Sequence, residues 1–118
     1  MVTVDDQAVF RSAAREVIEA TGGFTSLGEA SGGEEALALV DQREPQLVLV
    51  DVRMPGMNGI ETASRIKAAH PATVVVLVSI DDPDNIPSSA KTSGAAALVR
   101  KQDFGPALLR DVWEAHSG

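Results

Sequence analysis

Cysteine is absent from the 118-residue chain. A disulfide scaffold, a thiolate metal site and a cysteine nucleophile are excluded with it. Positive charge is in short supply. Lys and Arg number 10 against 17 Asp and Glu, a formal net charge of −7. Such a domain repels phosphate backbones, so it is not expected to bind nucleic acid on its own. Long apolar runs are missing too. They stop at four to five residues, as in Leu47–Val50 and Val74–Val78, and none spans a membrane. Met1–Gln7 meets two aspartates at once and does not read as a signal peptide, so the cytoplasm is the expected compartment. No internal repeat, low-complexity tract or linker divides the chain, which therefore reads as a single domain over 1–118. Hydrophobic residues, at 44%, suffice for a packed core.

Two periodicities alternate along that core. Short, mostly β-branched runs predict strands at Val2–Val4, Phe24–Glu29, Leu47–Val50, Val74–Val78 and Ala96–Val99. Between them lie apolar residues at helical spacing: Phe10, Ala13, Ala14, Val17 and Ile18; Ala36, Leu37 and Val40; Ile60, Ala63 and Ile66; then Leu108, Leu109, Val112 and Trp113. Gly22-Gly23 and His70-Pro71 punctuate helix ends. The fourth helical region is poor. Pro83 and Pro87 fall inside it, so regular helix is expected only from about Pro87, as a first-turn proline, to about Thr92, with Gly94 closing the region. Repeated β-α units argue for a parallel sheet covered on both faces, with ligands at the carboxyl ends of the strands.

Five polar groups fall at those ends: Asp5 and Asp6 after the first strand, Asp51 after the third, Ser79 ending the fourth and Lys101 after the fifth. Each has an ordinary explanation taken alone. Asp5 or Asp6 could cap a helix, Asp51 and Ser79 could form turns, and Lys101 could be a solvated surface residue. Together they are harder to dismiss, because all five share one edge. Two carboxylates about 4 Å apart repel by roughly 4 kcal/mol at an effective dielectric of about 20. Three of them call for a proton or a cation. Hard oxygen ligands with room for water suit Mg²⁺. A divalent ion beside a carboxylate, a hydroxyl and an ammonium suits phosphoryl transfer, with a carboxylate able to act as nucleophile.

The segments Val4-Asp5-Asp6, Leu49 through Gly59 with its Asp51-x-x-Met54-Pro55-x-x-x-Gly59 pattern, Val78-Ser79, and Gly94-Ala95 followed by Lys101 resemble the receiver domains of bacterial two-component response regulators. The segments Phe10–Arg15 and Phe24–Glu35 resemble those regulators that carry a C-terminal helix-turn-helix domain, whose output is transcription regulation. The resemblance covers essentially the whole chain, with no effector domain expected within it. It implies an α/β, flavodoxin-like, doubly wound five-stranded parallel sheet in the order 2-1-3-4-5 with five helices. It makes Asp51 the phosphoacceptor, Ser79 and Lys101 its phosphoryl contacts, and Asp5, Asp6, Asp51 and the Arg53 backbone carbonyl the Mg²⁺ ligands, Asp6 directly and Asp5 through water. Pro55 and Gly59 would shape the loop, as ordinary turn residues also would. The partner implied is a histidine kinase, and the chain would promote only its own phosphorylation and dephosphorylation. A homodimer through the fourth helix, fifth strand and fifth helix is a further implication.

Four residues or regions depart from the family pattern. Leu98 stands where the family has Tyr or Phe, Ile80 where a small residue is common, and Gln102 where Pro follows the lysine; the two prolines disturb the fourth helix. Ile80 is expected to narrow access to Asp51. Arg53 and Asp81 are expected to overhang the pocket, either as a gating ion pair or as two solvated charges. Leu98 and Ile80 keep open the alternative of a pseudo-receiver that is not phosphorylated and serves only protein interaction. A small Mg²⁺-dependent phosphotransferase working through an aspartyl phosphate is a second alternative, for which no long insertion supplies a substrate cap.

Overall fold

A computed structural model describes residues 1–117; Gly118, the last residue of the expected domain, lies outside the described residues. Five parallel strands run β1 (Val2–Val4), β2 (Gly28–Ala30), β3 (Leu47–Asp51), β4 (Val74–Ser79) and β5 (Ala97–Arg100). Their order is 2-1-3-4-5, as expected. The helices are α1 (Ala8–Ala20), α2 (Gly33–Arg43), α3 (Gly59–Ala69) and α4 (Pro106–His116).

The central strands explain the layering. Every residue of β3 and β4 is buried, because neither strand alternates apolar with polar and both faces must be covered. One face of the sheet packs Val2, Val4, Val48, Val50, Val75 and Leu77 against Ala36 and Val40 of α2 and Ala63 and Ile66 of α3. The other packs Leu47, Leu49, Val76 and Val78 against Ala14 and Ile18 of α1 and Leu109 of α4. Each fully buried aliphatic side chain of this kind contributes about 1.5–3 kcal/mol.

Two expectations need correction. The strand expected over Phe24–Glu29 is β2 at Gly28–Ala30 only. As an edge strand it pairs with β1 alone, and β1 offers just three residues. The expected fourth of the five helices is also absent as an α-helix among the described residues: the region between β4 and β5 holds two 3-10 segments, Pro83–Asn85 and Ser88–Thr92. Pro87 caps the second rather than opening a regular helix. Pro83 and Pro87 each lack an amide hydrogen, and each holds the residue before it in extended geometry, so no unbroken α-helical ladder spans them. The stop at Thr92 and the turn at Gly94, with φ +90°, fall where expected. The face expected to support a dimer is therefore built from 3-10 turns, β5 and α4. It carries a groove of about 300 Å³ lined by Leu77, Ala90 and Leu98.

Trp113 and the α4 apolar row serve the core first. Leu109 is buried, and Trp113 meets Phe24 edge-on at 6.4 Å between ring centroids.

Candidate functional site

Parallel register gathers the strand ends. Val4 pairs with Val50, so Asp5 and Asp51 leave adjacent strands at the same level. Asp51 pairs with Val78, one residue before Ser79, and Ser79 pairs with Arg100, one residue before Lys101. One carboxylate oxygen from each of Asp5, Asp6 and Asp51 lies within 4.8 Å of the others. Asp5 is fully buried, Asp51 is 5% exposed and Asp6 is open to solvent.

Neither Asp5 nor Asp6 is the N-cap of α1. That position is Gln7, and it has no side-chain capping bond. Asp5 Oδ1 instead accepts the Gln7 N–H at 2.8 Å, a local turn that fixes its carboxylate. Lys101 is no solvated surface residue. Its side chain is 10% exposed, and its ammonium lies 2.6 Å from Asp5 Oδ2 and 3.5 Å from Asp51 Oδ2. Ser79 Oγ accepts the Asp81 N–H at 3.0 Å. Its own O–H thus stays available to donate into the site.

Gly59 is more than a turn-former. A Cβ there would stand 1.8 Å from the Asp51 carbonyl oxygen and 2.8 Å from the Val52 Cα. The first turn of α3 is thereby pressed against the backbone that carries Asp51. Its N–H donates to Val52 O at 2.9 Å, and Asn58 caps the helix by accepting the Glu61 N–H. Arg53 and Asp81 do meet, Nε to Oδ2 at 2.5 Å. With Arg53 67% exposed, such a pair contributes about 0–1 kcal/mol and opens readily. Ile80 is 68% exposed, so its branched side chain is turned to solvent rather than wedged over Asp51.

Two contributors were not assigned to the site by sequence. Arg11 donates to the Asp5 backbone carbonyl at 2.7 Å, bracing the acidic turn from α1. Phe10, expected only as core, also presents its ring to Lys101, 4.7 Å from Nζ to the centroid. The shared helical face of Phe10 and Ala14 was the only signal, and nothing in it pointed to Lys101.

Electrostatics follow from this packing. Burial, and then the charge of Asp5, push the Asp51 carboxyl up from 3.8 to about 6, against the opposing pull of Lys101. The unfolded chain releases that proton near pH 4. Between about pH 4 and 6 the folded state therefore holds a proton that the unfolded state has lost. Asp51 destabilises the fold fully above pH 6 and less as pH falls through that window. Asp51→Asn should accordingly be more stable than wild type at pH 7.5 in chelator, with the gap closing toward pH 4.5. Urea unfolding at the two pH values measures this, and a gap that widens in acid would contradict it.

Three carboxylates against one ammonium leave two formal negative charges at the rim. An all-oxygen donor set with one solvent-open member suits a hard divalent cation that keeps water ligands. The cluster can hold a metal, and the residues present fit one.

The chain is thus a doubly wound α/β domain with an acidic cluster and a lysine at the carboxyl edge of its sheet. Comparison with known proteins narrows that class. Residues 1–112 match the response regulator receiver domain family. Among solved structures, the signal receiver domain of a protein assigned as the response regulator NarL from Mycobacterium tuberculosis is 31% identical. It aligns over 99% of this chain and 94% of that one, with a TM-score of 0.88. A two-component response regulator of the LuxR family from Aurantimonas sp. SI85-9A1 is 29% identical over 97% of this chain and 81% of that one, with a TM-score of 0.85. A DNA-binding response regulator of the LuxR family from Staphylococcus aureus is 25% identical over 99% and 97%, with a TM-score of 0.86. The search of curated sequences returned no match. The chain belongs to the response regulator receiver domain family, a signalling domain of two-component systems.

Proposed function

We propose that the chain is a phospho-accepting switch: Asp51 takes a phosphoryl group from a phosphohistidine of a partner histidine kinase in a Mg²⁺-dependent reaction. The observation that carries this reading is the convergence of Asp5, Asp6 and Asp51 within 4.8 Å of one another, with the Lys101 ammonium against two of them.

The ionised Asp51 carboxylate is the nucleophile, in its majority form above pH 6. Its oxygen forms a bond to phosphorus as the phosphorus–nitrogen bond breaks, and the electron pair returns to the imidazole. Lys101, held by the buried Asp5 carboxylate, lies beside the attacking group and pairs with the phosphoryl oxygens as they arrive. The Ser79 hydroxyl, its acceptor side taken by Asp81 N–H, donates to another of them. Asp5, Asp6, Asp51 and the Arg53 carbonyl would hold Mg²⁺, which when bound neutralises charge on the phosphoryl oxygens. Replacing a monoanionic carboxylate by a dianionic acyl phosphate draws on Ser79 and Lys101 and shifts a conformational equilibrium. The chain acts only on itself in this scheme. The likeness to the DNA-binding regulator from Staphylococcus aureus supports a transcriptional output for the shifted state.

Incubation with acetyl phosphate and Mg²⁺, followed by intact-mass measurement, tests the reading. One phosphoryl adduct per chain is expected, absent in Asp51→Asn and absent when chelator replaces Mg²⁺. An adduct that survives Asp51→Asn would overturn Asp51 as the acceptor, and none with acetyl phosphate, phosphoramidate or a phosphorylated kinase would overturn the reading and leave a pseudo-receiver.

A further inference from the structure

Lys101 is gripped from a third side. Its ammonium lies 2.6 Å from Asp5 Oδ2 and 3.5 Å from Asp51 Oδ2, and the ring of Phe10 lies against it at 4.7 Å. Phe10 is in the first turn of α1, three residues after the cap position Gln7. Its ring is packed in turn by Phe104, 6.2 Å away between centroids and tilted by 51°. Phe104 is placed by the 3-10 turn Lys101–Asp103, closed by its own N–H donating to the Lys101 carbonyl at 3.2 Å. The turn that presents the lysine therefore also delivers the ring that backs Phe10.

We propose that Phe10 is a positioning residue for phosphoryl transfer, its π-face fixing where the Lys101 ammonium stands while Asp51 reacts. The proposal rests on Asp51 being the phosphoacceptor. A flexible four-carbon stem lets an ammonium wander, and a lysine drawn wholly onto Asp5 would leave the reacting oxygens unmatched. A partly desolvated cation is attracted to an aromatic face and not to an aliphatic one. The ring thus restricts the ammonium to a position from which both carboxylates are in reach. Placement of a charge at the reacting centre acts on rate, whereas the ring's packing acts on stability.

The two contributions separate experimentally. Phe10→Leu keeps most of the apolar volume and loses the π-face; Phe10→Tyr keeps both. Phosphorylation by acetyl phosphate at saturating Mg²⁺ should slow about three- to tenfold in Phe10→Leu and stay within about twofold of wild type in Phe10→Tyr. The Lys101 ε-methylene protons, under the ring current in wild type, should lose their upfield NMR shift in Phe10→Leu and retain it in Phe10→Tyr. Equal rates in all three proteins, or equal slowing in both variants, would overturn the proposal. So would a Lys101 resonance unmoved by Phe10→Leu. If wild type forms no adduct while the ring-current shift behaves as expected, the phosphoacceptor reading has failed and the positioning role of Phe10 in phosphoryl transfer falls with it. If wild type is phosphorylated but the shift and rate ignore Phe10, only the positioning role fails.

Discussion

Lys101→Met should lower folding stability by about 3–5 kcal/mol in the presence of chelator at pH 7. The size follows from burial. Asp5 is 0% exposed and the lysine side chain 10% exposed, so the contact is an interior one. Removing the ammonium leaves a carboxylate inside the fold with no cation against it and a second carboxylate 5% exposed beside it. An exposed pair would cost at most about 1 kcal/mol. The two magnitudes are far enough apart for urea unfolding to decide between them. The same variant should respond more strongly to Mg²⁺. Taking one positive charge from a rim with three carboxylates raises its net charge from two negative to three. A divalent ion that binds only the folded state then stabilises it further by mass action. A larger Mg²⁺-induced rise in Tm for Lys101→Met than for wild type is the expected result; a smaller rise would mean that these oxygens do not form the cation site.

Gly59→Ala should be the most damaging glycine-to-alanine change among the described residues, costing about 3 kcal/mol or more. The contacts waiting for its Cβ, at 1.8 Å and 2.6 Å, are the carbonyl oxygen and carbon of Asp51. Backbone cannot rotate away as a side-chain tip can. Either α3 backs off from the sheet or the end of β3 moves, and the second option displaces the nucleophile. Misplacement by about 1 Å lowers rates by about a hundredfold. Acetyl phosphate labelling of Gly59→Ala should therefore fall by about that factor in whatever fraction folds. Gly56→Ala is the control. Its φ of +75° strains a side chain, yet nothing lies within 4 Å of the added methyl. It should cost about 1 kcal/mol and leave labelling nearly intact. Equal effects at the two glycines would refute the close-contact argument.

How much of this was legible in sequence varied with how local the cause was. The β3 and β4 runs declare themselves, since uninterrupted Val and Leu leave no face for water. The acidic and lysine positions were also legible, because alternation of strand and helix puts strand ends on one edge whatever the packing details. The length of β2 was not, since it is set by its partner β1 and not by its own residues. The prolines announced that the fourth helix was weak, but not that two short 3-10 segments would replace it. Gly59 read as one turn glycine among several. Its necessity depends on how closely α3 approaches the Asp51 carbonyl, a distance that no local pattern encodes. Phe10 and Arg11 escaped for the same reason. Their roles exist only once α1 lies beside the turn after β5.

The placement of the single tryptophan has a practical consequence. Trp113 stands with Phe24, Met1 and Leu47 around the opening of β3, while Asp51 ends that strand. Five residues of strand put roughly 13 Å of sheet between them. With no tyrosine in the chain, intrinsic emission comes from this one indole. It will follow loss of the hydrophobic floor during denaturation and stay nearly silent during chemistry at the acidic rim, so a reporter for that end has to be introduced there.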